Sequence, residues 1–305
     1  MAWTRVLERL ERAQELDPWA DLVEQKLRPL VGEQGRQDLL TGRWLGHPVH
    51  PVLVIMPVSC WTGATLLDLI GGRRGRRPAR RLLLVGTLMA APAAAAGAAD
   101  WIDTRGAERR VGLVHAGANS VAVALFGLSW WKRRRGGLSG TMLSMLGMAI
   151  ASGSAYLGGH LSYSRGVGVN TTAFLGGPDD WTEIASVEEL PEGQPFAAVA
   201  DGVPLVACRR GGTIDVLEAR CTHRGGPLHE GAVEGECIRC PWHGSEIHLG
   251  TGEVMRGPAS IPQPAYETSI SDGRLRVRRD EPGSLRRSAA RARPQPVIEP
   301  SVQPV

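Results

Sequence analysis

Two short motifs combine the side chains that most often bind transition metals. Cys221-Thr-His223 and Cys240-Pro-Trp-His243 each offer one thiol and one imidazole, and 16 residues separate His223 from Cys240. Glycine follows each motif, so each lies in a loop that can turn tightly. Two thiols and two imidazoles suit either a zinc ion or a [2Fe-2S] cluster with mixed ligands. The predicted chemistry is therefore metal binding, with a structural or a redox outcome.

The residues around the motifs predict a small antiparallel β domain. Short apolar segments at 196–199, 203–208, 213–218 and 275–277 are separated by Gly, Pro and Asp, a pattern typical of strands and turns. Structural zinc sites usually pair their ligands across a hairpin and a helix, whereas no helical pattern follows either motif here. This setting favours the cluster, and zinc stays as the alternative.

The motifs and their flanks resemble a Rieske domain over roughly residues 181–279. The resemblance extends through Gly244-Ser245, Gly250-Thr-Gly252, Gly257-Pro258, Tyr266-Glu267 and Asp272-Gly273. It implies that Cys221 and Cys240 bind one iron of a [2Fe-2S] cluster, while His223 and His243 bind the other. Neutral imidazoles raise the potential of such a cluster above that of an all-cysteine one. The resemblance further implies that the histidine-bound iron lies near the surface, as an exit for electrons.

Departures from the family pattern indicate which kind of Rieske protein the domain resembles. High-potential Rieske proteins of quinol-oxidising complexes brace the two loops with a disulfide, and Gly226 and Trp242 stand at the corresponding positions here. Those proteins also have a tyrosine near the cluster, where this chain has Ile247. The missing disulfide and the missing tyrosine both imply a lower, ferredoxin-like reduction potential. Ser245 remains as a residue that can donate a hydrogen bond to a sulfur atom. Cys208 and Cys237 are expected to be buried thiols, and both are expected to lie outside the site together with Cys60.

Four apolar runs precede the β domain. They cover 51–70, 82–99, 111–131 and 138–161, and their one charged residue is Asp68. Each run is near the roughly 20 residues that a helix needs to cross a bilayer. The predicted fold class is therefore multi-domain, with a four-helix transmembrane bundle followed by an all-β Rieske-type iron–sulfur domain.

Four histidines are predicted at one end of the bundle. They are His47, His50, His115 and His160. Consecutive helices alternate in direction, so all four come to one membrane face, together with Asp100 and Asp103 at the end of the second helix. Ionisable groups at bilayer depth are costly and often functional. We consider haem b, a metal ion or a quinol as the ligand, against a structural role in capping and helix–helix hydrogen bonding.

The apolar region also resembles a bacterial family of four-helix membrane domains, DUF2231, over roughly residues 40–170. The resemblance rests on the segments Leu45-Gly-His-Pro-Val-His-Pro51, Asp100-Trp101, Val111-Gly-Leu-Val-His115 and Gly158-Gly-His160. It implies a membrane protein and supplies no activity or ligand set. The fusion to a Rieske domain resembles an actinobacterial arrangement.

The expected domain order has five parts. An amphipathic, helical N-terminal region at 1–43, expected to be a solvated helical pair, precedes the transmembrane domain at 44–165. A linker at 166–180 leads to the Rieske domain at 181–280, and a disordered tail follows at 281–305.

The whole-chain averages hide this division. A net charge of +4, from 35 Lys and Arg against 31 Asp and Glu, is spread over 305 residues. The composition excludes a disordered or collagen-like chain, and the small basic excess does not predict nucleic-acid binding. Arginines crowd the loops at 71–81 and 132–137. The positive-inside rule therefore predicts cytoplasmic loops there, with both termini and the β domain outside the cell membrane.

Together these features predict a membrane-anchored Rieske protein that transfers single electrons. Its donor would be a quinol or haem in the membrane, its acceptor a redox partner protein, and its surroundings membrane lipid. One alternative is a quinol-oxidising or haem-containing oxidoreductase that uses the transmembrane histidines. The other is a zinc-binding membrane adaptor.

Overall fold

The structure is a computed structural model that describes residues 2–135 and 138–279. The tail expected at 281–305 lies outside the described residues. The chain divides into two compact units, the first ending at Val169 and the second beginning at Asn170.

Three helices form the N-terminal region: α1 (Ala2–Arg12), α2 (Asp17–Val31) and α3 (Gln34–Thr41). Leu7, Ala20 and Val31 are buried, so these helices pack against the rest of the first unit. The region has three helices where a pair was expected, and the expectation that it is solvated stays a prediction. Amphipathic periodicity identifies an apolar face but does not show what covers it.

Four long helices follow, and each is apolar and long enough to cross a membrane. They are α4 (His50–Ile70), α5 (Gly72–Trp101), α6 (Gly106–Lys132) and α7 (Ser139–Gly159), and α7 continues into one π-helical turn (His160–Ser164). The core between them is built around Trp61, Leu83 and Phe126. Many of the buried positions in α5 and α7 are Gly, Ala or Ser, which let helices approach closely in lipid.

Ion pairs join the N-terminal helices to the bundle. Arg110 bonds Asp17 through two nitrogens, at 2.6 and 2.7 Å, and the neighbouring Arg109 bonds Glu24 at 2.6 Å. At the end of α7, the His160 ring lies 2.8 Å from a carboxylate oxygen of Glu11. These contacts attach the N-terminal helices to the end of the bundle where α6 begins and α7 ends.

The second unit consists of two antiparallel sheets. Six strands form the larger sheet in the order β1-β10-β9-β4-β3-β2, and the smaller sheet has the order β5-β6-β7-β8. The larger sheet contains β1 (Thr182–Ser186), β2 (Pro195–Ala200), β3 (Val203–Arg210), β4 (Thr213–Glu218), β9 (Ala265–Ser271) and β10 (Arg274–Arg279). The smaller contains β5 (Ala232–Glu234), β6 (Cys237–Arg239), β7 (Glu246–His248) and β8 (Val254–Arg256). The predicted fold class, four apolar helices followed by an all-β domain, is confirmed.

Alternation along β4 divides the apolar core of this unit. Ile214 and Val216 pack into one cluster with Leu205, whereas Leu217 and Ala219 pack into a second cluster that contains Cys221 and Cys240. Successive side chains of a strand point to opposite faces, so β4 supports both clusters. The second cluster anchors the loops that carry the metal-binding motifs.

Candidate metal centre

Two loops bring the motifs together. The first follows β4 and carries Cys221 and His223, and the second joins β6 to β7 and carries Cys240 and His243. Both loops have the same backbone hydrogen bonds, because each cysteine N–H donates to the carbonyl of the residue five positions later. The lengths are 2.9 Å in the first loop and 2.8 Å in the second.

A glycine in the left-handed region closes each loop. Gly225 has φ 75° and Gly244 has φ 73°, and each N–H donates to the carbonyl of the cysteine four positions earlier. A residue with a Cβ is strained at such φ values. The glycines read from the sequence therefore turn both loops toward a common centre.

The two thiols face each other in the interior. Cys221 and Cys240 are 1% and 2% exposed, and they share a hydrogen bond. The N–H groups of His223 and Arg224 point at the Cys221 sulfur, while those of Trp242 and His243 point at the Cys240 sulfur. The hydrogen bond between the thiols raises the pKa of Cys221 and lowers the pKa of Cys240. Four backbone donors are thus placed to stabilise thiolates.

The two imidazoles form a separate, outer pair. The ring centroids of His223 and His243 lie 5.1 Å apart with the rings nearly perpendicular, and both side chains are half-buried. Desolvation and the neighbouring His243 lower the pKa of His223, which favours the neutral ring that binds metals. Trp242 packs edge-on against His243 at 6.4 Å and is 51% exposed.

This arrangement of two pairs matters for the choice of metal. Among the described residues, no group of three or more His, Cys, Asp or Glu side chains surrounds one point. A structural zinc ion takes four ligands at one centre, whereas a [2Fe-2S] cluster with mixed ligands takes two at each iron. A buried thiol pair beside an outer imidazole pair fits the cluster.

The loops have no covalent brace. All five cysteines are free, and a Cβ added at Gly226 would lie 2.7 Å from the Cys240 sulfur and 3.3 Å from Cγ of Trp242. The two positions that the family resemblance paired are therefore adjacent, but there is no room for a side chain at 226. Packing and hydrogen bonds hold the loops together.

Ser245 keeps a hydrogen available at the centre. Its side chain is fully buried, and its Oγ accepts the N–H of Ala259 at 3.0 Å. Because this bond uses the oxygen as an acceptor, the hydroxyl hydrogen is not consumed by it, and the donor role expected from the sequence stays a prediction.

Two residues that support the first loop were missed from the sequence. The Thr171 hydroxyl donates to the Cys221 carbonyl at 2.8 Å, although Thr171 lies in the stretch expected to be a linker. Gln263, which is fully buried, binds the backbone on both sides of Cys221. Neither belongs to a recognisable sequence motif, because each supports the loop through its location beside it rather than through a rare type of side chain.

The four histidines of the first unit do not form one cluster. His47 is exposed and bonds the carbonyl of Pro48, and His160 pairs with Glu11. His50 and His115 lie partly buried inside the bundle, each bonded to a backbone carbonyl. Of the three other cysteines, Cys60 and Cys208 are buried and Cys237 is half-buried.

A β unit whose two glycine-closed loops present a thiol pair and an imidazole pair defines a Rieske-class iron–sulfur domain. Comparison with known families agrees, since residues 180–267 match the Rieske [2Fe-2S] domain. The chain belongs to this family. Residues 46–171 match a second family, described as a predicted membrane protein (DUF2231).

Two curated relatives each match about a third of this chain. The anthranilate 1,2-dioxygenase ferredoxin subunit of Burkholderia cepacia is 32% identical over 98 residues, which are 32% of this chain and 91% of that protein. Ferredoxin CarAc of Metapseudomonas resinovorans is 28% identical over 98 residues, or 32% of this chain and 92% of that protein. Among solved structures, the Sphingomonas yanoikuyae B1 ferredoxin is 29% identical, covering 34% of this chain and all of its own, with a TM-score of 0.31.

Proposed function

We propose that Cys221, His223, Cys240 and His243 hold a [2Fe-2S] cluster, and that the protein passes single electrons while anchored in a membrane. The observation that carries this proposal is the buried thiol pair beside the half-exposed imidazole pair. Such a cluster, when bound, accepts and releases one electron. The relatives that are ferredoxin subunits support the same activity.

The chain's own residues set the conditions for this transfer. Backbone N–H groups directed at both sulfurs stabilise negative charge there. The half-buried imidazoles of His223 and His243 would hold the outer iron of such a cluster near the surface, and the exposed Trp242 offers an apolar contact beside His243. An acceptor protein would dock at this tip of the β unit.

The partners follow from the two units. The Burkholderia cepacia relative is by name the ferredoxin subunit of a dioxygenase, which supports a reductase or an oxygenase as the soluble partner. Four apolar helices support lipid as the surroundings and a membrane donor, quinol or haem, as the electron source. The arginine-rich loops support an extracytoplasmic position of the β unit.

Electron paramagnetic resonance of the full-length, detergent-purified protein tests the cluster. The dithionite-reduced protein should give a rhombic signal with an average g below the free-electron value. His223→Ala and His243→Ala should abolish this signal, whereas His229→Ala, in a half-buried histidine outside the motifs, should retain it. Stoichiometric zinc without the signal would overturn the proposal in favour of the zinc adaptor.

A second candidate function is a quinol-oxidising or haem-containing oxidoreductase. It is favoured by His50 and His115, which present half-buried imidazoles inside the apolar bundle. Reduction of the cluster by a short-chain quinol in proteoliposomes tests the quinol form. Loss of that reduction in His50→Ala, with the cluster intact, would support it; an unchanged rate would exclude these histidines.

A further inference from the structure

The first unit contains an internal repeat of two helical hairpins, α4–α5 and α6–α7. Trp61 follows His50 by eleven positions in α4, and Phe126 follows His115 by eleven positions in α6. The two aromatic rings stack against each other with their centroids 4.3 Å apart and their planes 17° apart. Equivalent residues of the two hairpins thus meet at the centre of the bundle.

The partner helices repeat as well. Gly86 in α5 makes room for Trp61, and Gly147 in α7 makes room for Phe126, since added Cβ atoms would lie 2.7 and 3.2 Å from those rings. Another glycine follows eleven positions later in each helix, Gly97 and Gly158. Because α4 matches α6 and α5 matches α7, His50 and His115 are equivalent residues of the two hairpins.

Each of those glycines accommodates one imidazole. A Cβ at Gly97 would lie 2.8 Å from Cε1 of His50, and a Cβ at Gly158 would lie 3.0 Å from Cε1 of His115. The repeat therefore preserves a slot for a histidine ring in both hairpins. His47 and His160 have no counterparts at equivalent positions, where Gly112 and Ala99 stand.

The two rings are also held in the same tautomer. Nδ1 of His50 lies 2.8 Å from the Ala93 carbonyl oxygen, and Nδ1 of His115 lies 2.8 Å from the Ser154 carbonyl oxygen. A carbonyl can only accept, so Nδ1 carries the hydrogen and Nε2 keeps its lone pair. In metal-binding histidines, the ring nitrogen that does not bind the metal usually donates to a carboxylate, a backbone carbonyl or water.

We propose that His50 and His115 form a bis-imidazole site whose Nε2 atoms bind the iron of a haem inside the membrane unit. The two rings belong to facing hairpins of one bundle, whose equivalent residues Trp61 and Phe126 stack on each other, and facing helices are where many helical bundles hold a cofactor. Within the described chain no third His, Cys, Asp or Glu completes a site for a bare ion. Haem iron needs only two protein ligands because the porphyrin supplies the rest.

One neighbouring side chain would have to move when the haem binds. Asn119 lies one turn after His115, and its amide nitrogen is 3.1 Å from Nε2 of that ring. It satisfies the lone pair in the absence of a ligand and would have to turn away when iron binds. The site is independent of the cluster ligands, so either assignment can fail alone.

Haem content of the full-length protein, expressed with added δ-aminolaevulinate and purified in detergent, tests the site. The pyridine haemochrome assay and the reduced-minus-oxidised spectrum should show stoichiometric haem in the wild-type protein. His50→Ala and His115→Ala should each lose it, and the exposed His47→Ala should retain it. Adding imidazole to His115→Gly should restore the Soret absorbance.

The cluster signal in the same samples separates a lost site from a lost fold. Variants that lose haem but keep the wild-type cluster signal and a monodisperse elution support the proposal. It is overturned if the wild-type protein has a full cluster signal and no haem, or if the double variant retains haem. Zinc or copper that depends on both histidines, without haem, would also overturn it.

Discussion

The side-chain oxygen of Gln263 accepts a hydrogen bond from the backbone N–H of Thr222 at 3.0 Å. Thr222 is the residue between Cys221 and His223 in the sequence. The Gln263 amide nitrogen donates to the carbonyls of Glu218 and Arg220, at 2.8 and 2.7 Å. One fully buried side chain thus satisfies three backbone groups where β4 enters the first loop. We regard Gln263 as a positioning residue for the candidate cluster.

Replacing this amide should loosen the first loop. In Gln263→Ala, three backbone groups lose their partner; two of these bonds are buried, and leaving a buried group unpaired costs about 1–3 kcal/mol. We expect a lower denaturation midpoint and faster release of the cluster, followed by its visible absorbance. Gln194→Ala, at an exposed glutamine of the same unit, is the matched control. Equal release rates in the two variants would contradict the positioning role.

Glu218 should make the β unit less stable as the pH rises. Its side chain is fully buried, and neither carboxylate oxygen has a hydrogen-bond partner among the described residues. Burial raises the pKa of Glu218 from 4.5 to about 7, against a smaller opposing effect of Arg220. The folded state therefore binds this proton more tightly than the unfolded chain. Stability is greatest below about pH 4.5 and falls as the pH rises towards 7.

Glu218→Gln should remove this dependence. At pH 8 the variant should exceed the wild-type protein by up to roughly 3 kcal/mol, the equivalent of the pKa shift, and near pH 4.5 the two should agree. Denaturant titrations of the full-length protein at both pH values measure the difference. Glu188→Gln, at an exposed position, should leave the pH dependence unchanged. A parallel pH profile in Glu218→Gln would show that this carboxyl is not its source.

A buried ion pair fastens the bundle at the end opposite the N-terminal helices. Nη1 of Arg133 donates to Asp68 at 2.7 Å, a second bond joins its Nη2 to the other carboxylate oxygen, and the two side chains are 7% and 2% exposed. Ser144 also accepts from Arg133 at 2.8 Å. The three residues come from the end of α4, the turn after α6 and the first half of α7.

Breaking this pair on one side should cost more than removing it. Asp68→Leu leaves an uncompensated guanidinium in an apolar bundle, and Arg133→Leu leaves an uncompensated carboxylate; each costs about 3–5 kcal/mol. Asp68→Leu combined with Arg133→Leu should be more stable than either single variant. Thermal unfolding in detergent of the four proteins completes the cycle. Additive losses would mean that the two side chains are not coupled.

The orientation in the membrane is open to direct measurement. Arginine-rich loops predict that the turn between α4 and α5 faces the cytoplasm and that the β unit lies outside. A C-terminal tag should then be removed by protease added to spheroplasts, while a cysteine placed at Arg77 should react with an impermeant thiol reagent only after lysis. Cleavage that also requires lysis would reverse the assignment.

The sequence was informative wherever residue type alone limits the structure. Cys221, His223, Cys240 and His243 were predicted as ligands because few side-chain types bind transition metals, and the apolar runs were predicted as membrane helices because lipid excludes charge. Gln263 and Thr171 were missed because their amide and hydroxyl are common groups that act through location. The repeat in the bundle was readable as recurring intervals of eleven, but only the stacking of Trp61 on Phe126 shows why it exists.

Sequence by itself therefore determined the two units, their order, and the chemistry of the metal motifs. Tertiary structure decided which of those groups meet. It sorted four motif residues into a buried thiol pair and an outer imidazole pair, and it separated His50 and His115 from His47 and His160. The physical reason is that ligand type is a property of one side chain, whereas burial, pairing and hydrogen bonding depend on neighbours distant in the chain.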